Sequence, residues 1–219
     1  MVCIALSFST SHSEFSNKHV GFRTTALELS PYMSLAFHFL LSSHTSPSTF
    51  SHIVHPFAYW FSHQRSNASL FRGVSFPDVL PRLSSDFRFS EGDFLKHTCS
   101  NDAGYACIVT LFFIDTSFNV LSTLQQVLRL LRPGGIWINL GPLLWHGEAQ
   151  LEPCLEEVWA MCRELGFEFI EGGGSIQRKN HETDGSKYTS FKSEYTRDRD
   201  AMMHWVYEAE FWVARKARV

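Results

Sequence analysis

A chain of 219 residues has room for one α/β domain with a proper core, and hardly for two. Its net charge of −3 and pI near 6.4 give no sign of a nucleic-acid or anionic-membrane partner, and the basic residues form no stripe among the 20 Phe and 6 Trp. Five scattered cysteines without a CxxC pair fit reduced thiols in a cytosolic or nuclear protein, and no apolar run reaches the roughly 18 to 20 residues of a membrane span.

Residues 1–18 are a short apolar run, Val2–Phe8, and a serine-rich polar stretch with nothing catalytic in it. The segment from His19 to Ser30 reads as a strand ending on Glu28, and Ser30-Pro31 opens a helix over PYMSLAFHFLLSS. Glu28 has two readings of equal weight: a carboxylate for ribose hydroxyls after the second strand of a nucleotide-type sheet, or a helix cap. Residues 44–75 are rich in His, Ser, Phe and Trp and are expected to pack as an insertion over the sheet, aromatics inward. The spacing of His44, His52, His55 and His63 suits no zinc pattern, and no metal is expected. Phe87 to Phe94 reads as a short strand whose Glu91-Gly92-Asp93 turn sets Asp93 and Phe94 at its end, a pair able to receive an adenine through carboxylate and ring.

Ala106–Ile114 is a near-continuous apolar run, suited to a strand buried on both faces, and it ends on Asp115. Val120, Leu121, Leu124, Val127, Leu128 and Leu131 recur at helical spacing, the LRPGG turn stops that helix, and Ile136–Leu140 is a second buried strand. Strand, helix and strand at these lengths predict a parallel α/β sheet. Ligands in such sheets bind beyond the carboxyl ends of the strands, where Asp115 and the Gly141–His146 segment fall. Leu151–Leu165 reads as an amphipathic helix with Gly166 as its cap, and Phe167–Ile170 as a strand. Residues 171–200 are expected to be a mobile loop, and Met202–Arg215 the last strand, antiparallel and hairpin-linked.

The LRPGG turn between helix and buried strand resembles class I S-adenosylmethionine-dependent methyltransferases. ELSPYM at Glu28–Met33, FPDV at Phe76–Val79, GDF at Gly92–Phe94, FFIDT at Phe112–Thr116, GGIWINLGPLLWH at Gly134–His146, and the terminal MM, YE and VARK strings narrow this to the carnosine N-methyltransferase family, over about residues 20 to 217. The resemblance implies a Rossmann-like, mostly parallel sheet with an antiparallel last strand. It implies S-adenosyl-L-methionine as cofactor and methyl transfer to the imidazole of carnosine or a related His-containing peptide. Glu28 would hold the donor's ribose, Asp93 and Phe94 its adenine. Asp115 and His146 would face the acceptor's imidazole as the catalytic pair, and Tyr207 would reach its carboxylate.

Three departures stand out: Leu111 where a cysteine is expected near the cofactor, Trp205 and Val206 where tyrosines are usual, and no GxGxG anywhere. The family's first strand and glycine loop, which would precede residue 19, are not found, so the alternative is a truncated, inactive member, serving as an interaction protein or an incomplete gene product. In the class I order the first strand lies between the strands ending at Glu28 and Asp115. Val2–Phe8 is apolar enough for that slot, yet too close in sequence to His19 for a parallel crossover of a dozen residues or more. It could pair antiparallel or hang loose, and the expectation is poorly supported sheet edges, low solubility and no cofactor binding.

Overall fold

A computed structural model describes residues 2–9, 21–81, 83, 85–99, 103–170, 189–195 and 198–218. The chain divides into two compact units, the first made of Met1–Ser30, Ser84–Phe191 and Glu208–Val219, the second of Pro31–Leu83 and Lys192–Tyr207.

The first unit is built on a twisted sheet. Its strands are β1 (Val2–Ser9), β2 (Gly21–Glu28), β5 (Phe87–Glu91), β6 (Tyr105–Leu111), β7 (Leu131–Gly141), β8 (Phe167–Phe169) and β10 (Trp205–Lys216), in the spatial order β5-β2-β1-β6-β7-β10-β8, with β9 (Thr189–Tyr195) pairing β10. Two strands of the second unit, β3 (His52–Val54) and β4 (Val74–Phe76), form a separate ribbon. β2 runs parallel to β5 and β6 to β7, while β10 is antiparallel to both β7 and β8. The α/β sheet and its antiparallel last strand are as expected from the sequence.

The central slot holds a correction. β1 pairs antiparallel with β2 from Cys3↔Leu27 to Ser9↔Gly21, and with β6 from Val2↔Leu111 to Leu6↔Cys107. Neighbouring antiparallel strands need no crossover, so the short link that forbids a parallel strand is sufficient here. The edges of β2 and β6 are therefore both paired, against the expectation of badly supported edges. Because β1 is reversed, β2, β5, β6 and β7 all point one way and present their carboxyl ends on one edge, where β1 contributes its beginning.

Helix α3 (Val120–Leu130) follows from its apolar stripe, which buries Val120, Leu124, Val127 and Leu130. Asn119 starts it, its side-chain oxygen accepting from Ser122 N at 3.0 Å. Its last carbonyls are met by a cation from β10: Lys216 Nζ donates to Leu128 O at 2.9 Å and Leu131 O at 2.7 Å. Helix α4 (Leu155–Leu165) begins after Pro153 rather than at Leu151, with Glu157 reaching back to Cys154 N at 2.8 Å, and ends at Gly166 with φ 101°. These helices pack Val158, Trp159 and Cys162 with Trp137, Trp212 and Phe167 into one core. Inside it Trp137 Nε1 donates to Thr110 Oγ1 at 2.8 Å and Thr110 Oγ1 donates to Asn139 Oδ1 at 2.7 Å, tying β6 to β7.

The second unit holds α1 (Pro31–Leu41), the four-residue α2 (Asn67–Leu70) and the β3–β4 ribbon. Its aromatics do not all turn inward as expected: Phe50, Tyr59, Phe61 and Phe71 are exposed. Three-residue strands and a single-turn helix offer no layer broad enough to bury them. His52 and His55 are engaged with backbone oxygens of Thr45 and Phe71 at 2.5 and 2.7 Å. Of the loop expected over 171–200, residues 189–195 are strand β9, while 171–188 lie outside the described residues.

Candidate active site at the carboxyl edge of the sheet

β6 ends three residues earlier than its apolar run suggests. Phe112 adopts φ 49°, its N–H is taken by Leu140 O at 2.8 Å, and the chain then tightens into a turn of 3-10 helix over Ile114–Thr116. A left-handed phenylalanine is costly and persists only where its surroundings dictate it. Gly141 gives it room: a Cβ there would stand 3.1 Å from Phe112 backbone atoms, so a larger residue would press on the turn.

This turn carries Asp115 into the interior at 6% exposure. Its Oδ2 accepts from Leu144 N at 3.1 Å, and its backbone oxygen accepts from His146 N at 2.9 Å. The segment after β7 is thus laced to the turn after β6, bringing Asp115 and His146 together through the main chain. Burial pushes the Asp115 carboxyl above the usual range, opposed by hydrogen bonds from the N–H groups of Leu144 and of Asp115 itself. His146 is exposed, its ring tilted against Phe118 at 4.9 Å between centroids. Nδ1 accepts from Glu148 N at 3.2 Å, which leaves the proton of the neutral ring on Nε2.

The ends of β2 and β5 complete the edge. Glu28, at the last position of β2, pairs with Glu91, and its main-chain oxygen accepts from Gly92 N at 2.9 Å. Its Oε1 accepts from Ser30 N at 2.8 Å, a local bond one residue ahead of α1. Asp93 caps the turn Phe94–Lys96 through Leu95 N at 2.9 Å, with Lys96 Nζ 3.6 Å from its other oxygen. Phe94 is buried, its ring edge-on to Phe113 at 5.1 Å, and its carbonyl accepts from Gln126 Nε2 at 2.7 Å. Glu28, Asp93, Asp115 and His146 therefore lie along one edge, in the spatial order β5, β2, the start of β1, β6, β7. Tyr207 stands in the first part of β10, ahead of the pairing that begins at Glu210↔Gly141, and belongs to the second unit.

A family model described as carnosine N-methyltransferase matches residues 12–218. The chain belongs to the carnosine N-methyltransferase family. The enzyme of that name from Schizosaccharomyces pombe is 29% identical over 215 residues, covering 89% of this chain and 53% of its own length. The mouse carnosine N-methyltransferase is 31% identical over 205 residues, covering 90% and 47%. The chain spans about half the length of these curated relatives. Among solved structures, the N-methyltransferase NodS of Bradyrhizobium japonicum with S-adenosylhomocysteine aligns at 11% identity and a TM-score of 0.36 over 61% of this chain and 56% of its own.

Within this family member, sequence reasoning missed the left-handed Phe112, the close approach of Gly141 to it, and the Leu144 N–H that holds Asp115. Phe112 carries no local signal, since the main-chain bond it makes is to Leu140, far along the chain. The Gly141 that follows the apolar β7 run was the one available clue.

Proposed function

We propose that this chain is an S-adenosyl-L-methionine-dependent N-methyltransferase acting on the imidazole of carnosine or a related His-containing peptide. Family membership supports the class of reaction, and the observation that carries the site assignment is Asp115: a buried carboxylate at a strand's carboxyl end, fixed by Leu144 N–H and joined to the His146 segment.

The edge fits the adenosyl half of the cofactor. Glu28 and Asp93 are acceptors oriented by main-chain N–H groups, matched to ribose hydroxyls and an exocyclic amine. Gly92 leaves open space where a Cβ would project, so the turn between them can be approached closely. The described residues offer no glycine loop at the centre of the edge, where β1 begins. When bound, S-adenosyl-L-methionine supplies a sulfonium-activated methyl group.

The chain's own residues then have two tasks, to orient the acceptor and to take up charge. Asp115 accepts the N–H of one imidazole nitrogen, which leaves the lone pair on the other, and stabilises the ring cation as it forms. Burial makes this carboxylate a better proton acceptor than an exposed one. His146, with Nδ1 occupied, presents Nε2–H as a donor and so positions the acceptor rather than deprotonating it. Tyr207 is assigned to the peptide's carboxylate. The reading extends to a small-molecule or short-peptide substrate without nucleic acid or membrane, in the cytosol or nucleus. Cys107, Cys154 and Cys162 are free thiols, which agrees with that location.

The test is incubation of the protein with methyl-labelled donor and carnosine. Label on an imidazole nitrogen is expected; bound donor with no transfer to any His-containing peptide overturns the assignment.

A further inference from the structure

The second unit contains a cavity of about 430 Å³ lined among others by Phe57, Tyr59, Trp60, Gln64, Asp198 and Trp205. That is the size of a small-molecule site, and nothing in the methyl-transfer reading uses it. We infer that it binds a compact methylated ammonium, held by aromatic faces and by the unmet amide oxygen of Gln64.

The walls come first. Phe57, Tyr59, Trp60 and Trp205 give four ring systems around one space, and Tyr59, Trp60 and Trp205 remain substantially exposed in spite of their size. Phe57 already shows the preference of these faces for a cation, since the Arg72 guanidinium carbon sits 3.6 Å from its ring centroid. A methylated ammonium is the cation such faces favour over water, being weakly hydrated.

The polar groups agree in sign. Asp198 is buried and ion-paired with Arg72, and its Oδ2 accepts from Gln64 Nε2 at 3.1 Å. An ionised carboxylate only accepts, so the Gln64 nitrogen must face it and the oxygen faces away. That oxygen, Oε1, is buried and meets no donor among the described residues. A buried acceptor without a donor is costly unless positive charge approaches it. Arg72 does not reverse the balance: with Asp198 on one side and Asp200 3.4 Å away on the other, its one charge faces two carboxylates.

The lining is also held in place. His63 adopts φ 62°, and its carbonyl accepts from Met202 N at 2.7 Å while Gln64 bridges to Ala201. The loop carrying Gln64 is thereby fixed against the segment carrying Asp198, in a backbone state that must be enforced.

The experiment is calorimetric titration with choline and with 3,3-dimethyl-1-butanol, its uncharged carbon counterpart, against a sodium chloride blank. Choline is expected to bind in the millimolar range or tighter, and about tenfold to a hundredfold better than the alcohol, the scale of several ring contacts. Trp60→Ala, at a partly exposed position that leaves folding intact by circular dichroism, is expected to cost choline about threefold to tenfold and the alcohol little. Equal affinities for the two ligands would show an apolar hole only and overturn the inference. So would no choline binding by the folded protein at about 50 mM.

Discussion

Asp115 and Asp198 are buried alike, at 6% and 7% exposure, yet their acidities move in opposite directions. At Asp115 burial is the larger influence and two backbone N–H groups do not cancel it, so its carboxyl lies high. At Asp198 burial also pushes upward, but hydrogen bonds from Gln64, Arg72 and Asp200 N–H, with the Arg72 charge, outweigh it and hold the carboxyl low. At Asp198 the number and charge of its partners decide the direction against the push of burial. The first region keeps a carboxylate short of partners. The second saturates one and uses it as a joint.

The largest expected effect tests the first half of this contrast. Asp115→Asn keeps an acceptor for Leu144 N–H but removes the negative charge, and methyl transfer should fall by about 10²–10⁴ in an initial-rate assay. The same variant should melt no lower than wild type, since a carboxylate raised by burial costs stability above its folded pKa. That cost fades as pH falls toward the unfolded value, so the variant's advantage should shrink in acid. Normal turnover by the variant would break the role.

Next is a control outside both carboxylates: Trp137→Ala, emptying the fully buried centre of the first unit, should cost about 3–5 kcal/mol in denaturant unfolding. Smaller again, Arg72→Met should cost about 1–3 kcal/mol by leaving Asp198 under-partnered, and adding Asp198→Leu should recover much of it. A depressed folded pKa contributes stability that is present above the unfolded value, about 3.9, and lost as pH falls through the folded one. The Asp198→Asn penalty should therefore be full near pH 7 and close in strong acid, the reverse of Asp115→Asn. Glu28→Ala should act least on the fold, by about 1 kcal/mol for the lost contact with Ser30 N–H, while weakening donor binding in titration. Unaltered binding would leave Glu28 that local bond alone.

What was legible in the sequence follows the same division. The β6–α3–β7 core could be read because Ile108, Val127 and Trp137 obey simple periodicities, and Asp115 because it interrupts one. The edge of the sheet then placed Glu28, Asp93 and His146 by topology alone. Phe94 illustrates the limit: its position at a strand end was readable, but its packing against Phe113 depends on a turn 19 residues later. The second unit was hardly legible, because its order rests on single long-range bonds such as Arg72 to Asp198, 126 residues apart. His63 and Phe50 take positive φ without any glycine or asparagine to announce it.

The reversed central strand has a kinetic consequence. A parallel strand in that slot could join β2 only after a crossover had closed, whereas β1 and β2 are consecutive and antiparallel, with Ser9 registered against Gly21. That pairing is among the most local in the sheet, so its loop-closure entropy is small and it can form before the distant strands arrive. The β1–β2 ladder would then serve as a template, one side of β1 already satisfied and the other awaiting β6 some hundred residues on. Pulsed hydrogen exchange during refolding should find β1–β2 amides protected ahead of those between β1 and β6.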